Sequence, residues 1–90
     1  MTTVRLPTIL RTHVGGERSV EAVGATVGEV FADIYARHPK LGTQLVSSDG
    51  ELPVFLNVFL DDEDIRYLGG LDSPVGEGSE ITVLPAVAGG

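Results

Sequence analysis

The sequence contains no cysteine. Disulfides, cysteine–zinc sites and a cysteine nucleophile are therefore excluded. Basic residues are also few: 6 Lys and Arg stand against 13 Asp and Glu, a formal net charge of −7. Such a surface repels phosphate backbones, which argues against a nucleic-acid partner and suits a protein partner with a basic face. No apolar run approaches the roughly 20 residues that span a bilayer, and the N-terminus lacks the pattern of a secretory signal. The expected compartment is the cytoplasm, with no membrane partner. Internal repeats and linker-like stretches are missing too, so 90 residues read as one domain, 1–90.

What is present argues for a folded chain. The hydrophobic fraction is 42% and only 21% of residues are charged, a balance that disordered segments do not show. A domain of this size buries roughly 60% of its unfolded surface. That supports one core and one binding face, with little room for a deep substrate pocket.

The stretch "VRLPTIL" (4–10) alternates as a strand, with Val4 and Leu6 inward and Arg5 and Pro7 outward. "HVGGE" (13–17) suits a hairpin turn, and "RSVEAVG" (18–24) reads as the second strand. "TVGEVFADIYARHP" (26–39) is the clear helix. Thr26 is its N-cap and Glu29 completes a capping box. Val27, Val30, Phe31, Ile34 and Tyr35 form one apolar stripe, and Pro39 ends the helix. Residues 40–53 read as a loop pinned to the core by Leu41, Leu45 and Val46. Then follow a strand from residue 54, an acidic turn "DDED" (61–64), a short strand, a turn-rich stretch (72–80) and a last strand "ITVLPAV" (81–87) whose regular pairing stops at Pro85. This order predicts an α+β fold: a mixed sheet of about four to five strands covered by one main helix.

Several chemical motifs fail on spacing. "DDED" lacks the longer ligand spacing of a calcium loop and reads as a solvated turn. His13 and His38 are not spaced as metal or catalytic partners. "GEGSE" (76–80) lacks the Lys and the following helix of a phosphate loop. The expectation is no metal site, no ATP site and no catalytic residue: the chain is not itself an enzyme.

The ordered segments "RLPTILR…GGE", "ATVGEVFADIYARHP" and "LNVFLDDEDIRYLGGLDSPVGEGSEITVLPAVAGG" together resemble the ubiquitin-like sulfur carriers of the ThiS and MoaD type. The likeness covers nearly the whole chain, with 40–53 least typical. It is nearest to the subgroup that supplies sulfur for cysteine synthesis, whose members share an Ala-Val-Ala-Gly-Gly-like tail. The resemblance implies a β-grasp fold with 85–90 as a flexible tail. It also implies that an E1-like enzyme uses ATP to adenylate the Gly90 carboxylate, which then becomes a thiocarboxylate. The recipient implied is a pyridoxal-phosphate-dependent cysteine synthase, with a metal-dependent hydrolase releasing the product. The same family admits delivery to molybdopterin or to the thiamin thiazole. From different classes, a ubiquitin-like protein modifier and an inert β-grasp interaction domain are the alternatives.

The tail residues suit that chemistry. Gly89 and Gly90 carry no Cβ and pass a narrow channel. Ala86, Val87 and Ala88 are small and uncharged, and Pro85 stiffens the exit from the last strand. Strand alternation places Val4, Leu6, Leu56, Val58, Leu60, Ile81 and Val83 against the helix. Arg5, Pro7, Phe55, Asn57, Phe59, Thr82 and Leu84 then face outward. By resemblance this open face docks the adenylating enzyme, through Arg5, Pro7, Phe59 and Leu84.

Overall fold

The computed structural model describes residues 1–45 and 56–85. The expectations for Val46, for the loop over 46–53, for Phe55 and for the tail residues Ala86, Val87, Ala88, Gly89 and Gly90 lie outside the described residues.

Five strands form one sheet: β1 (Thr2–Arg5), β2 (Ser19–Ala22), β3 (Leu56–Leu60), β4 (Glu63–Asp64) and β5 (Glu80–Pro85). Their order across the sheet is β2-β1-β5-β3-β4. β1 and β5 run parallel at the centre, and the other neighbours are antiparallel. Helices α1 (Thr8–Arg11), α2 (Val27–Arg37) and α3 (Pro39–Leu45) complete the order. A mixed sheet with the main helix crossing one face is the β-grasp arrangement that the pattern predicts.

Helix α2 begins as its sequence requires. Thr26 is extended (φ −132°, ψ 165°), and its Oγ1 accepts the Glu29 amide at 3.2 Å. The Glu29 carboxylate reaches back one residue past the N-cap and accepts the Ala25 amide at 3.1 Å, so the Glu29 amide of the first turn and the Ala25 amide before the helix are both satisfied. Thr26→Ala is expected to cost about 1 kcal/mol, which lowers the thermal midpoint of a domain this size by roughly 4–8 °C. Thermal denaturation checks it; an unmoved midpoint would mean the cap carries no load.

Val27, Val30, Phe31 and Ile34 are fully buried, against Val4, Leu56, Val58, Ile81 and Val83 from the sheet. Tyr35 departs from the expected stripe and is 52% exposed. At about 100° per residue it sits roughly 90° from the centre of the other four, on the shoulder of the stripe.

Two further expectations are corrected. The first strand ends at Arg5 instead of continuing to Leu10. Pro7 has no amide for further pairing; it is extended (φ −70°, ψ 160°) and starts α1. The return to β2 is thus longer than a tight hairpin. It runs through α1 and a 3-10 turn (Thr12–Val14) to Gly15 and Gly16, both left-handed at φ 67° and 86°, a conformation that favours glycine. The second correction is α3, which occupies the first part of the expected loop. Pro39 is its first residue, where a missing amide costs nothing, and Leu41 and Leu45, one turn apart, are both fully buried.

The acidic run does backbone work. Asp61 and Asp62 take positive φ (50° and 74°) and turn β3 into β4. Asp61 exchanges bonds with Glu80, its amide donating to the Glu80 carbonyl (2.9 Å) and its Oδ1 accepting the Glu80 amide (3.0 Å). Asp64 caps the 3-10 turn Ile65–Tyr67 by accepting the Arg66 amide at 2.9 Å.

Candidate docking face and tail root

The side of the sheet opposite α2 is where the predicted docking residues gather. Alternation fixes this: each strand sends every second side chain away from the helices. Leu6, Leu60 and the other inward positions are buried, whereas Arg5 and Leu84 are exposed and Pro7, Asn57, Phe59 and Thr82 are half-buried. Leu84, at 44% exposure, stands opposite Asn57. Phe59 lies one step along β3, opposite Thr82. It points outward as expected yet is less open than Leu84.

Where β5 ends, a groove of about 460 Å³ opens between it and the β1–α1 corner, lined by Arg5, Pro7, Ile9, Arg11, Leu84 and Pro85, among others. The structure therefore brings Arg5, Pro7, Leu84 and Pro85 into one depression at the root of the tail. Phe59 is outside it, on the same sheet face. Ile9 is 59% exposed and continues the apolar surface onto α1. Arg5 meets Glu80 at 3.5 Å, with both side chains largely in water, so this pair contributes little to stability.

Two arginines were not legible as part of this site. The Arg11 Nε donates to the Leu6 carbonyl at 3.1 Å, which ties α1 to the end of β1. Arg66 donates from Nη1 to Asn57 Oδ1 (2.7 Å) and from Nη2 to the Leu56 carbonyl (2.8 Å). Leu56 is opposite Pro85, so Arg66 braces the strand that flanks the tail root. Its neighbours in sequence suggest only a charge offsetting the acidic run. The contacts span five to ten residues and cross from one element to another, which is why local pattern does not reveal them.

His13 lies in the 3-10 turn after α1 and His38 caps the C-terminus of α2. Among the described residues no three His, Asp or Glu side chains converge as metal ligands, and no helix is long and apolar enough to cross a membrane. What the face offers chemically is a partly apolar, partly basic surface beside the end of β5.

The ThiS family model matches residues 4–90. The chain belongs to the ThiS family. Within it, the sulfur carrier protein CysO of Mycobacterium tuberculosis is 47% identical over 90 residues, covering 98% of this chain and 97% of that protein. The crystal structure of M. tuberculosis CysO matches with a TM-score of 0.90 at 44% identity, over 97% of this chain and 100% of that one. A chain of the BexX/CysO complex of Amycolatopsis orientalis matches at 0.91 and 52% identity, over the whole of both chains. The small archaeal modifier protein 1 of Methanosarcina acetivorans matches at 0.85 with 26% identity, over 99% of this chain and 95% of that one. The ThiS-family chain thus shares the ubiquitin-like β-grasp fold of these proteins.

Proposed function

We propose that this ThiS-family chain is a sulfur carrier, a protein substrate of other enzymes and not a catalyst. The observation that carries the reading is its likeness to CysO proteins over nearly the full length of both, in sequence and in fold. The family match runs through Gly90, which in this reading bears the free carboxylate.

A carboxylate is a poor electrophile, because its charge is delocalised and oxide is a poor leaving group. An E1-like partner that binds ATP removes this obstacle. A Gly90 carboxylate oxygen attacks the α-phosphorus, pyrophosphate leaves, and an acyl adenylate forms. Sulfide then attacks the acyl carbon and supplies the sulfur. AMP departs with the electrons of the broken C–O bond, leaving a thiocarboxylate. Pro85 to Gly89 carry Gly90 into the partner's channel, and Arg5, Pro7, Phe59 and Leu84 dock the sheet face outside it. The thiocarboxylate then gives its sulfur to a pyridoxal-phosphate-dependent cysteine synthase in the cytoplasm, and a metal-dependent hydrolase frees the product. ATP and pyridoxal phosphate belong to the partners, not to this chain.

The likeness to a small archaeal modifier protein favours a second reading, in which Gly90 is joined to lysines of target proteins. Intact-mass spectrometry separates the two. After incubation with the adenylating enzyme, ATP and a sulfur donor, a carrier gains the mass difference between sulfur and oxygen. A modifier instead yields protein conjugates when targets are present. An unmodified chain would overturn both.

The docking face has its own test. Phe59→Ala is expected to weaken binding to the adenylating enzyme about tenfold, roughly 1.4 kcal/mol. Because Phe59 is half-buried and faces away from the helices, the unfolding midpoint should fall far less than for the fully buried Phe31, where truncation costs about 3–5 kcal/mol. Unchanged binding with a Phe31-sized loss of stability would place Phe59 in the core.

A further inference from the structure

Among the described residues the sheet has two edge strands, and they are managed differently. β4 is only two residues long and acidic, Glu63–Asp64. β2 is four residues long, and edge strands of this kind present unpaired amides and carbonyls to any passing strand.

On β2 two of those groups are already occupied. The Leu6 amide donates to the Arg18 carbonyl at 2.9 Å. Antiparallel alternation then turns the amides and carbonyls of Arg18, Val20 and Ala22 toward β1, and those of Ser19, Glu21 and Val23 away from it. The Val23 amide donates to Asp33 Oδ2 at 3.0 Å, and Arg37 Nη2 donates to the Glu21 carbonyl. Arg37 and Asp33 are themselves joined at 2.9 Å, one helical turn apart on α2. Four helical residues rise about 6 Å, and two strand residues about 6.8 Å. One turn of α2 thus serves both outward-facing backbone groups.

We propose that the Asp33–Arg37 pair takes the place of a neighbouring strand, and that without it the β2 edge pairs with a second copy of this chain, two β2 strands running antiparallel about Ala22. This register sets Glu21 of one copy opposite Val23 of the other, avoiding the repulsion of Glu21 against itself. It makes the Val23 amide of each copy donate to the Glu21 carbonyl of the other. These are the two groups that Asp33 and Arg37 occupy in the single chain. Val23, β-branched and 53% exposed, suits a paired edge. The inference stands on this geometry and is independent of sulfur transfer.

Two measurements test it. In the unmodified protein, the Val23 amide is expected to exchange with solvent more slowly than the Ser19 amide, which also points away from β1; equal exchange would overturn the clamp. By sedimentation equilibrium, the unmodified chain stays single, whereas Asp33→Ala/Arg37→Ala self-associates more tightly by on the order of tenfold or more. Adding Val23→Pro, which removes the donor, returns that variant to single chains. If the double variant loses its circular-dichroism signature, Arg37→Gln carries the same test with only the Glu21 carbonyl freed. A folded variant that remains single at every concentration, or a dimer unaffected by Val23→Pro, would refute the proposal.

Discussion

Deleting Gly90 is expected to abolish thiocarboxylate formation while leaving the unfolding midpoint where it was. The two halves of this expectation have different physical origins. Terminal residues carry little of a domain's packing, and among the described residues the core ends at Val83. The chemistry, by contrast, depends on one carboxyl carbon. With Gly90 gone the new terminus is Gly89, one residue short. The attacking carboxylate is then held back by roughly 3.5 Å, in addition to the about 3–3.5 Å at which reacting atoms must be held. A second variant isolates the carboxylate from the reach. One residue added after Gly90 keeps both glycines and the threading geometry but replaces the free carboxylate with a peptide bond, and it too is expected to be inert. Mass spectrometry after incubation with the adenylating enzyme, ATP and a sulfur donor reads both. Thiocarboxylate on either variant at the parent rate would remove Gly90 from the reaction and with it the carrier function proposed above.

Period-2 alternation was legible because the inward positions of β3 and β5, and Val4 in β1, are aliphatic. Every sheet residue assigned to the core from this pattern, from Val4 to Val83, is buried among the described residues. Helix α2 was equally legible, through Thr26, Glu29 and four stripe residues. The failures share a cause. "VRLPTIL" is apolar enough to continue as a strand, but Pro7 breaks the pairing and Leu10 reaches the core from α1 instead. α3 was hidden because Pro39 and Gly42 read as loop residues. Both are used for reasons that local propensity does not contain: a helix start, and a close approach to another helix. The outward direction of Arg5, Phe59 and Leu84 was legible, yet the contact of Arg66 with Leu56 joins residues ten apart in sequence and needed the fold.

The close approach at Gly42 has a large and checkable consequence. A Cβ built on Gly42 would lie 2.5 Å from the Tyr35 Cα, 2.6 Å from its Cδ2 and 2.7 Å from its Cβ. Two opposing effects follow from Gly42→Ala. Helix propensity favours alanine by about 1 kcal/mol. Against it stands an overlap with α2 that no rotamer change relieves, because the nearest atom is backbone. α2 is held in place by Val30, Phe31 and Ile34, all fully buried, so α3 is the element that moves. Its displacement draws Leu41 and Leu45 out of sites where both are fully buried. Overpacking alone typically costs about 1–3 kcal/mol, and partial loss of two leucine contacts adds to it at about 25 cal/mol per Å² exposed. The net expectation is a destabilisation of about 2 kcal/mol, a fall in thermal midpoint of roughly 8–16 °C. Gly42→Val, bulkier and β-branched, is expected to cost more. Because α3 and the proposed docking face lie on opposite sides of the sheet, Gly42→Ala held well below its midpoint should still be thiocarboxylated at the parent rate. An unmoved or raised midpoint would mean that the two helices do not meet at this glycine. A folded Gly42→Ala protein that resists thiocarboxylation would mean that the helical side of the sheet takes part in docking.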